Sequence, residues 1–271
     1  MNINAQVIKI SIAEIIISFQ FDYQPFEAEL IRIFSKFIVK TQKSDVDINL
    51  KMLEEYKSID GKYDYLITDI KNNTATIKKW DINGELNIKT NKGVFEINNE
   101  FITFFPLVKF IFLNIFPQYN AFLLHSSTVI NNEFGIVASG VSGAGKTTFA
   151  KKLEKENFII LHDEITLIRK INNSFNVFPN PFTQNKKHFV NFSSLKPLKY
   201  IFILEQNKEF FNKNISLKLF IKEMLKLILS YDKIKNENYN LILDFITDLY
   251  NEITVRKLSF DLNSKLSDKI L

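Results

Sequence analysis

The sequence predicts an α/β fold in which an N-terminal β-rich subdomain packs on a mixed central sheet. Three observations predict it. Short apolar segments separated by Asn and Gly turns fill most of residues 1–100, a pattern typical of strands. A strand-like segment, a cluster of glycines and a helical segment follow one another near the middle of the chain. Two amphipathic helical segments and a last strand then close it. We therefore expect residues 1–100 to form the β-rich subdomain and residues 101–271 to form a second domain.

The first subdomain is expected to be an antiparallel meander interrupted by one helix. The segments "VIKIS" and "EIIISFQF" are strand-like, and the apolar residues of "FEAELIRIFSKFI" have helical spacing. Four more strand-like segments follow, namely "DYLITDI", "TATIKKW", "ELNIKT" and "GVFEI". The pairs Asn72-Asn73, Asn83-Gly84 and Lys92-Gly93 separate them, and such pairs are typical of hairpin turns.

Residues 101–117 are strongly apolar, but they do not suit a membrane span. A span needs about 20 consecutive apolar residues, and this shorter segment contains Pro106, Lys109 and Asn114. The sequence therefore predicts a buried helix from about Leu107 to Phe116 and no membrane partner.

The rest of the chain alternates between strands and helices. Two strand-like segments, "AFLLHSSTVI" and "FGIVASG", are joined at Asn131-Asn132, and a helix is expected from about Lys146 to Lys155. The strand "FIILHDE" comes next, followed by a hairpin of "EITLIRK" and "SFNVF" across Asn172-Asn173. After the buried strand "YIFILEQ", helices are expected over Ser216–Ser230 and Asn238–Asn251, before the strand "VRKLSFDL".

Composition limits the classes of function. Apolar residues make up 46% of the 271 residues, enough for a substantial core. The chain has no cysteine, which excludes disulfides and thiolate metal sites and suits a reducing, cytoplasmic location. Its net charge is +5, but the basic residues are scattered, so we do not expect a nucleic-acid partner. The N-terminal segment does not resemble a signal peptide, because Glu14 interrupts its apolar run.

The glycine cluster points to phosphate binding. The chain has only seven glycines, and the segment from Gly140 to Thr147 matches the pattern G-x-x-x-x-G-K-[ST] between a strand and a helix. Glycines let backbone N–H groups approach phosphate oxygens, and the following helix adds the positive end of its dipole. Lys146 would supply a charge to the β- and γ-phosphates, and the hydroxyl of Thr147 would ligate Mg²⁺. The predicted ligand is a nucleoside triphosphate.

Two acidic residues end the next strand. Asp163 lies 17 residues beyond Lys146, and Glu164 follows it. A carboxylate beside the phosphates could hold Mg²⁺ or accept a proton from an attacking hydroxyl. The alternative is a solvated acidic pair at a turn.

The histidines are less informative. His125 lies in an apolar strand, where a lone histidine is usually a buried structural residue. By strand alternation, His162 points away from the face that carries Asp163, and we expect it to be structural.

The segment "LLHSSTVI…FGIVASGVSGAGKTTFAKKLEKENFIILHDEITLI" resembles the core of the HPr kinase/phosphorylase family and of its wider set of HPr-kinase-like proteins. The resemblance is specific over about Leu123 to Lys170. It continues weakly through "FPNPFTQNKKHF", "KYIFILEQ" and "VRKLSF", and it does not extend to residues 1–100. It implies a P-loop kinase domain over residues 101–271, with a fold like that of phosphoenolpyruvate carboxykinase.

The resemblance also implies roles for individual residues. Asp163 would be the catalytic carboxylate, with His125 near the transferred phosphate, and Lys186 or Lys187 would face the phosphate or the substrate. ATP and Mg²⁺ would be held by the residues Gly140, Val141, Ser142, Gly143, Ala144, Gly145, Lys146, Thr147 and Thr148. Glu164 stands where the family usually has a second aspartate, and a metal role is assigned to it and to Thr147. Because HPr kinases are hexamers, a homo-oligomer is one expectation.

These inferences together predict an ATP-dependent kinase that phosphorylates a Ser or Thr hydroxyl of a peptide or protein. The segment "FPNPFTQNKKHF" would be a semi-rigid arm, because Pro179 and Pro181 fix two φ angles. Lys186 and Lys187 in this arm would bind the acceptor, unless it is an ordinary surface loop. The chain has no match to the motif by which bifunctional family members recognise HPr, so neither phosphorylase activity nor HPr as substrate is implied. A kinase of a small hydroxylated metabolite and a non-catalytic nucleotide-binding subunit remain as alternatives.

Overall fold

The computed structural model describes residues 6–52, 67–79, 82–98, 104–182, 195–207, 209–229, 236–261 and 265–271. These residues form an α/β protein with two mixed sheets, which confirms the predicted class. The described residues up to Phe116 make one compact unit, and those from Pro117 onward make another. No helix in the described ranges has both the length and the apolar character needed to cross a membrane.

The first unit contains a seven-stranded sheet in the order β1-β2-β3-β7-β6-β5-β4 and two helices. The bounds are β1 (Gln6–Ile12), β2 (Ile15–Phe21), α1 (Gln24–Phe34), β3 (Val46–Met52), β4 (Ile67–Lys71), β5 (Thr74–Lys79), β6 (Ile82–Asn87), β7 (Lys92–Ile97) and α2 (Phe104–Ile115). Helix α2, which the sequence assigned to the second domain, belongs to this unit.

The antiparallel pairing expected for this unit is correct for β1–β2 and for β4 to β7, but the unit is not one continuous meander. Strand β3 was not expected, and it pairs in parallel with both β2 and β7. Helix α1 provides the crossover that a parallel β2–β3 pair requires. The pair Asn83-Gly84 lies inside β6 rather than in a turn, and Lys92-Gly93 lies in β7. The Asn72-Asn73 turn is correct, with φ angles of 50° and 62°.

Aromatic residues form much of the core of the first unit. Phe26, Leu30 and Phe34 are buried along one face of α1. Phe34 stacks on Phe19 of β2 with ring centroids 6.4 Å apart, and Phe26 meets Phe104 of α2 edge-on at 5.7 Å. Each such buried side chain stabilises the fold by about 1.5–3 kcal/mol relative to an exposed one.

The second unit contains an eight-stranded sheet and four helices within the described residues. Its elements are β8 (Ala121–Ile130), β9 (Gly135–Ser139), α3 (Lys146–Glu154), β10 (Ile159–His162), β11 (Ile165–Ile171), β12 (Ser174–Phe178), β13 (Lys196–Leu204), β14 (Phe211–Asn214), α4 (Leu217–Leu227), α5 (Asn236–Glu252), β15 (Thr254–Ser259) and α6 (Ser267–Ile270).

The long strand β8 organises this sheet. It pairs antiparallel with β9, β10 and β11. Strand β13 lies between β9 and β15 and runs parallel to both. The carboxyl ends of these three parallel strands therefore meet at one edge, where ligands bind in open α/β sheets.

Helices cover both faces of the second sheet. Ile136 and Ala138 of β9 pack with Phe149 of α3 in one apolar cluster. Val137, the strand residue between them, packs in a second cluster with residues of α4 and α5. Because side chains alternate along a strand, α3 lies on one face of the sheet, and α4 and α5 lie on the other.

Candidate functional site

The glycine loop, Gly140–Gly145, joins the carboxyl end of β9 to the first residue of α3. Gly143 has a φ angle of 82°, and Gly145, the N-cap of α3, has a φ angle of 99°. An L-residue is strained in this region of φ, whereas glycine adopts it freely. The loop therefore turns sharply into the helix, and the first backbone N–H groups of α3 remain available to an anion.

The side chain of Lys146 folds back over this loop. Its Nζ donates to the carbonyl oxygen of Gly140 at 2.9 Å and to that of Val141 at 3.3 Å. Burial lowers the pKa of Lys146, and the negative charge of Asp163 opposes that shift. A buried ammonium thus lies at the mouth of the loop, within the electrostatic influence of a carboxylate.

Two other side chains support the loop and the helix that follows it. Gln206, just after β13, donates its Nε2 to the carbonyl oxygen of Gly143 at 2.6 Å. Ser127 of β8 donates its hydroxyl to the carbonyl oxygen of Lys146 at 3.1 Å. Sequence reasoning assigned no role to either residue. Gln206 lies in a segment distant from the glycine motif, and Ser127 was not singled out within the segment "LLHSSTVI".

Asp163 lies in a two-residue bend between β10 and β11. Both strands pair with β8, His162 opposite Thr128 and Ile165 opposite His125, so the bend interrupts what is otherwise one continuous edge. The Oδ1 atom of Asp163 is buried and has no hydrogen-bond partner among the described residues. A buried oxygen without a partner costs free energy, and such atoms are found at catalytic and ion sites. Asp163 is therefore a candidate for a reactive group.

Glu164 is the next residue of the bend, and its side chain is exposed. Its carbonyl oxygen accepts a hydrogen bond from the backbone N–H of Ser126 at 3.1 Å. Thr147, in the first turn of α3, is also exposed. No group of three His, Asp or Glu side chains within the described ranges is arranged to hold a metal by itself. A cation at these residues would therefore need oxygen ligands from a bound phosphate as well.

His125 lies on the same face of the sheet as α3. Ser127, two residues further along β8, donates a hydrogen bond to the backbone of α3. Because side chains alternate along a strand, the side chain of His125 points to the same face as that of Ser127. The side chain is half-buried, and its backbone carbonyl accepts the hydroxyl of Ser139 at 3.2 Å. The register places His125 two residues along β8 from the position opposite Asp163.

His162 is buried and neutral. Burial lowers its pKa to about 4, against the opposing effect of a hydrogen bond to the carbonyl oxygen of Phe178. The ring Nε2 lies 2.7 Å from that oxygen and must carry the proton, because a carbonyl can only accept. The side-chain amide of Asn180 lies 3.3 Å from Nδ1 and donates to the carbonyl of Ile165 at 2.9 Å. These bonds fix the start of the proline-containing segment against the strands on either side of Asp163.

The structure brings together most of the site residues that the sequence singled out. The glycine loop, Lys146, Asp163 and His125 lie at one edge of the second sheet or on the α3 face next to it. Lys186 and Lys187, expected to bind the acceptor, lie outside the described residues.

Comparisons with known proteins give only distant likeness, and it comes from solved structures. No family model matches the chain, and no curated protein matches it. Among solved structures, the chain is similar to the HPr(Ser) kinase/phosphatase from Coxiella burnetii at 10% sequence identity. The match covers 46% of this chain and 88% of that one, with a TM-score of 0.26. At these values the likeness does not assign the chain to a family.

Proposed function

We propose that the protein is an ATP-dependent kinase of the HPr-kinase-like type, with a P-loop domain related to phosphoenolpyruvate carboxykinase. The observation that carries the proposal is the buried, unpartnered Oδ1 of Asp163, which lies within the electrostatic influence of Lys146 beside a phosphate-binding loop. A protein that only bound a nucleotide would need the loop and the lysine, but it would not need a carboxylate with a buried, unpartnered oxygen whose charge acts on that lysine.

The residues of the loop fit a nucleoside triphosphate. Gly143 and Gly145 open the backbone towards phosphate oxygens, and Lys146 lies within reach once it releases the carbonyls of Gly140 and Val141. Thr147 and Glu164 would hold Mg²⁺ together with phosphate oxygens. When bound, the metal would neutralise charge that develops on the transferred phosphoryl group.

Asp163 would act as the general base. The acceptor oxygen forms a bond to the γ-phosphorus, the bond from that phosphorus to the bridging oxygen of ADP breaks, and Asp163 takes the hydroxyl proton. Lys146 would stabilise the negative charge on the phosphates throughout, and His125 on the same face would contact the transferred group. ATP is the donor that leaves as ADP, so the step balances without another reactant.

The proposed acceptor is a Ser or Thr of a peptide or protein. The arm that contains Lys186 and Lys187 follows Phe178 and Asn180, which hydrogen-bond to the segments that flank Asp163. The basic and aromatic residues of this arm's sequence would suit a chain-like acceptor with side chains to bury. We propose a cytoplasmic location for this enzyme, because a chain without cysteine suits a reducing compartment.

The test is phosphoryl transfer to host proteins and peptides. Wild-type protein and Asp163→Asn are incubated with ATP, Mg²⁺ and a lysate treated to inactivate its own kinases, and new phosphosites are identified by mass spectrometry. The proposal expects Ser or Thr sites that appear only with the wild type. Transfer to small metabolites alone would favour a metabolite kinase, and ATP binding without transfer to any acceptor would favour a nucleotide-binding subunit.

A further inference from the structure

Two cavities open beside the glycine loop. The first, which we call the α4 cavity, has a volume of about 360 Å³. Its walls include Gly140, Ile203, Ile215, Leu219 and Glu223. The second, which we call the Phe260 cavity, has a volume of about 450 Å³. It is lined by Ala144, Gly145, Thr148, Glu205, Gln206, Asn207, Ser259 and Phe260. Either volume is large enough for part of a small ligand.

The order of the strands gives a bound triphosphate a direction. Asp163 lies on the β10–β11 edge, β8 comes next, and then β9, which leads into the glycine loop. The terminal phosphate must approach Asp163 and Lys146. The opposite end of the ligand therefore extends towards the carboxyl ends of β13 and β15, which lie on the far side of β9.

The Phe260 cavity lies at that end and on the correct face of the sheet. Gly145 and Thr148 from the start of α3 form part of its wall, so it adjoins the helix terminus that would receive the phosphates. The α4 cavity is also lined by residues 140–144 of the glycine loop, and it shares Ala144, Glu205 and Gln206 with the Phe260 cavity. It extends, however, to the opposite face of the sheet, where Ile203 and Ile215 pack in the α4–α5 cluster. In the α4 cavity Glu223 pairs with Lys226, and Glu205, which lines both cavities, pairs with Lys257.

The chemistry of the Phe260 cavity suits a nucleobase. The ring of Phe260 is only partly buried, and it meets Phe149 of α3 edge-on with centroids 5.8 Å apart, which fixes its orientation. An aromatic ring in this position offers a stacking surface that every base can use. Asn207 at the rim adds a polar group within the same cavity.

We propose that the Phe260 cavity binds the nucleoside of the phosphate donor, with the base stacked on Phe260, and that it makes the site prefer a nucleotide to an inorganic polyphosphate. This inference rests on the proposed function. It also names a residue, Phe260, that sequence reasoning did not mark.

The test compares two probes, ATP–Mg²⁺ and inorganic tripolyphosphate–Mg²⁺, by isothermal titration. Phe260→Leu keeps an apolar contact with Phe149 but removes the aromatic face. It should weaken ATP binding about tenfold and leave tripolyphosphate binding unchanged, whereas Phe260→Tyr should keep the affinity for ATP. The matched control is Leu219→Ala, which alters the α4 cavity at a partly exposed residue and should change neither affinity.

A second measurement uses only the wild-type protein. ATP that carries a photoreactive azide on its adenine should label the peptide containing Ser259 and Phe260, and labelling on α4 instead would overturn the inference. Wild-type protein that binds tripolyphosphate as tightly as ATP would overturn the inference but leave the phosphate loop intact. Protein that binds neither probe would overturn the proposed function itself.

Discussion

Burial lowers the pKa of Lys146, the first residue of α3, and the carboxylate of Asp163, in the bend between β10 and β11, opposes that shift. This electrostatic link joins the loop that would hold the phosphates to the residue that would accept the proton. Asp163→Asn keeps the shape of the side chain but removes its charge and its basicity. We expect near-normal ATP binding and a fall in transfer rate of about 10²–10⁴. Single-turnover transfer and ATP titration measure the two effects separately, and full turnover by the variant would show that Asp163 is not the base.

Lys146→Ala removes the ammonium that the loop holds over its carbonyls. ATP–Mg²⁺ should raise the melting temperature of the wild-type protein by mass action, and the variant should lose most of that gain. Lys151→Ala, in an exposed lysine of the same helix, is the matched control and should keep it. Equal ligand-induced shifts in Lys146→Ala and wild type would remove the phosphate-binding assignment.

His162 gives stability a specific dependence on pH. Its pKa is 6.5 in an ordinary environment and is lowered by burial to about 4 in the folded protein. Above 6.5 both states are neutral, so the residue has no pH effect there. As pH falls from about 6.5 to about 4, His162 becomes protonated in the unfolded chain but remains neutral in the folded protein. The free energy of unfolding should then fall by on the order of 3 kcal/mol.

Urea unfolding at a series of pH values measures this effect. His162→Gln retains a donor for the carbonyl of Phe178 but does not titrate, so its stability should fall less steeply over the same range. Carboxylates titrate equally in both proteins and cancel in the difference. Parallel pH profiles for the two proteins would contradict the prediction.

Lys186→Ala combined with Lys187→Ala tests the acceptor arm. The double variant should raise the KM for a peptide acceptor or lower its transfer, while ATP affinity stays nearly constant. Lys89→Ala combined with Lys92→Ala removes the same charge from exposed positions in the first unit and should leave both unchanged. Wild-type acceptor kinetics in the arm variant would make a small metabolite the preferred acceptor.

Sequence patterns predicted the features that depend on residues adjacent in the chain, such as turns and the strand–loop–helix segment. The glycine loop was expected between a strand and a helix because its residues are adjacent in the chain, and the structure has β9 and α3 there. Asn172-Asn173 was expected as a turn, and both residues have the positive φ angles that such turns require. Strand β3 was missed, because its partners are set by a crossover rather than by neighbouring turns.

In the candidate site, too, the sequence predicted residues that lie near the glycine motif in the chain and missed residues that lie near it only in the fold. Asp163 was marked because it ends an apolar strand soon after the glycine loop. Gln206 and Phe260 were not marked, since nothing near them in the sequence signals that they lie beside Gly143 and Gly145. Only the parallel order of β9, β13 and β15 brings those segments together.

The bend at Asp163 and Glu164 makes this site unusually sensitive to changes in chain length. Strands β10 and β11 both pair with the same edge of β8. The number of residues in the bend between them therefore sets the register of β11 on β8. A single-residue deletion there would slip β11 by one position and turn its side chains to the other face. A substitution in the bend would change one side chain and leave the strand pairing intact. An insertion or a deletion would instead disrupt the pairing of β11 with β8. Variation at this point should therefore be tolerated only as replacement of one residue by another.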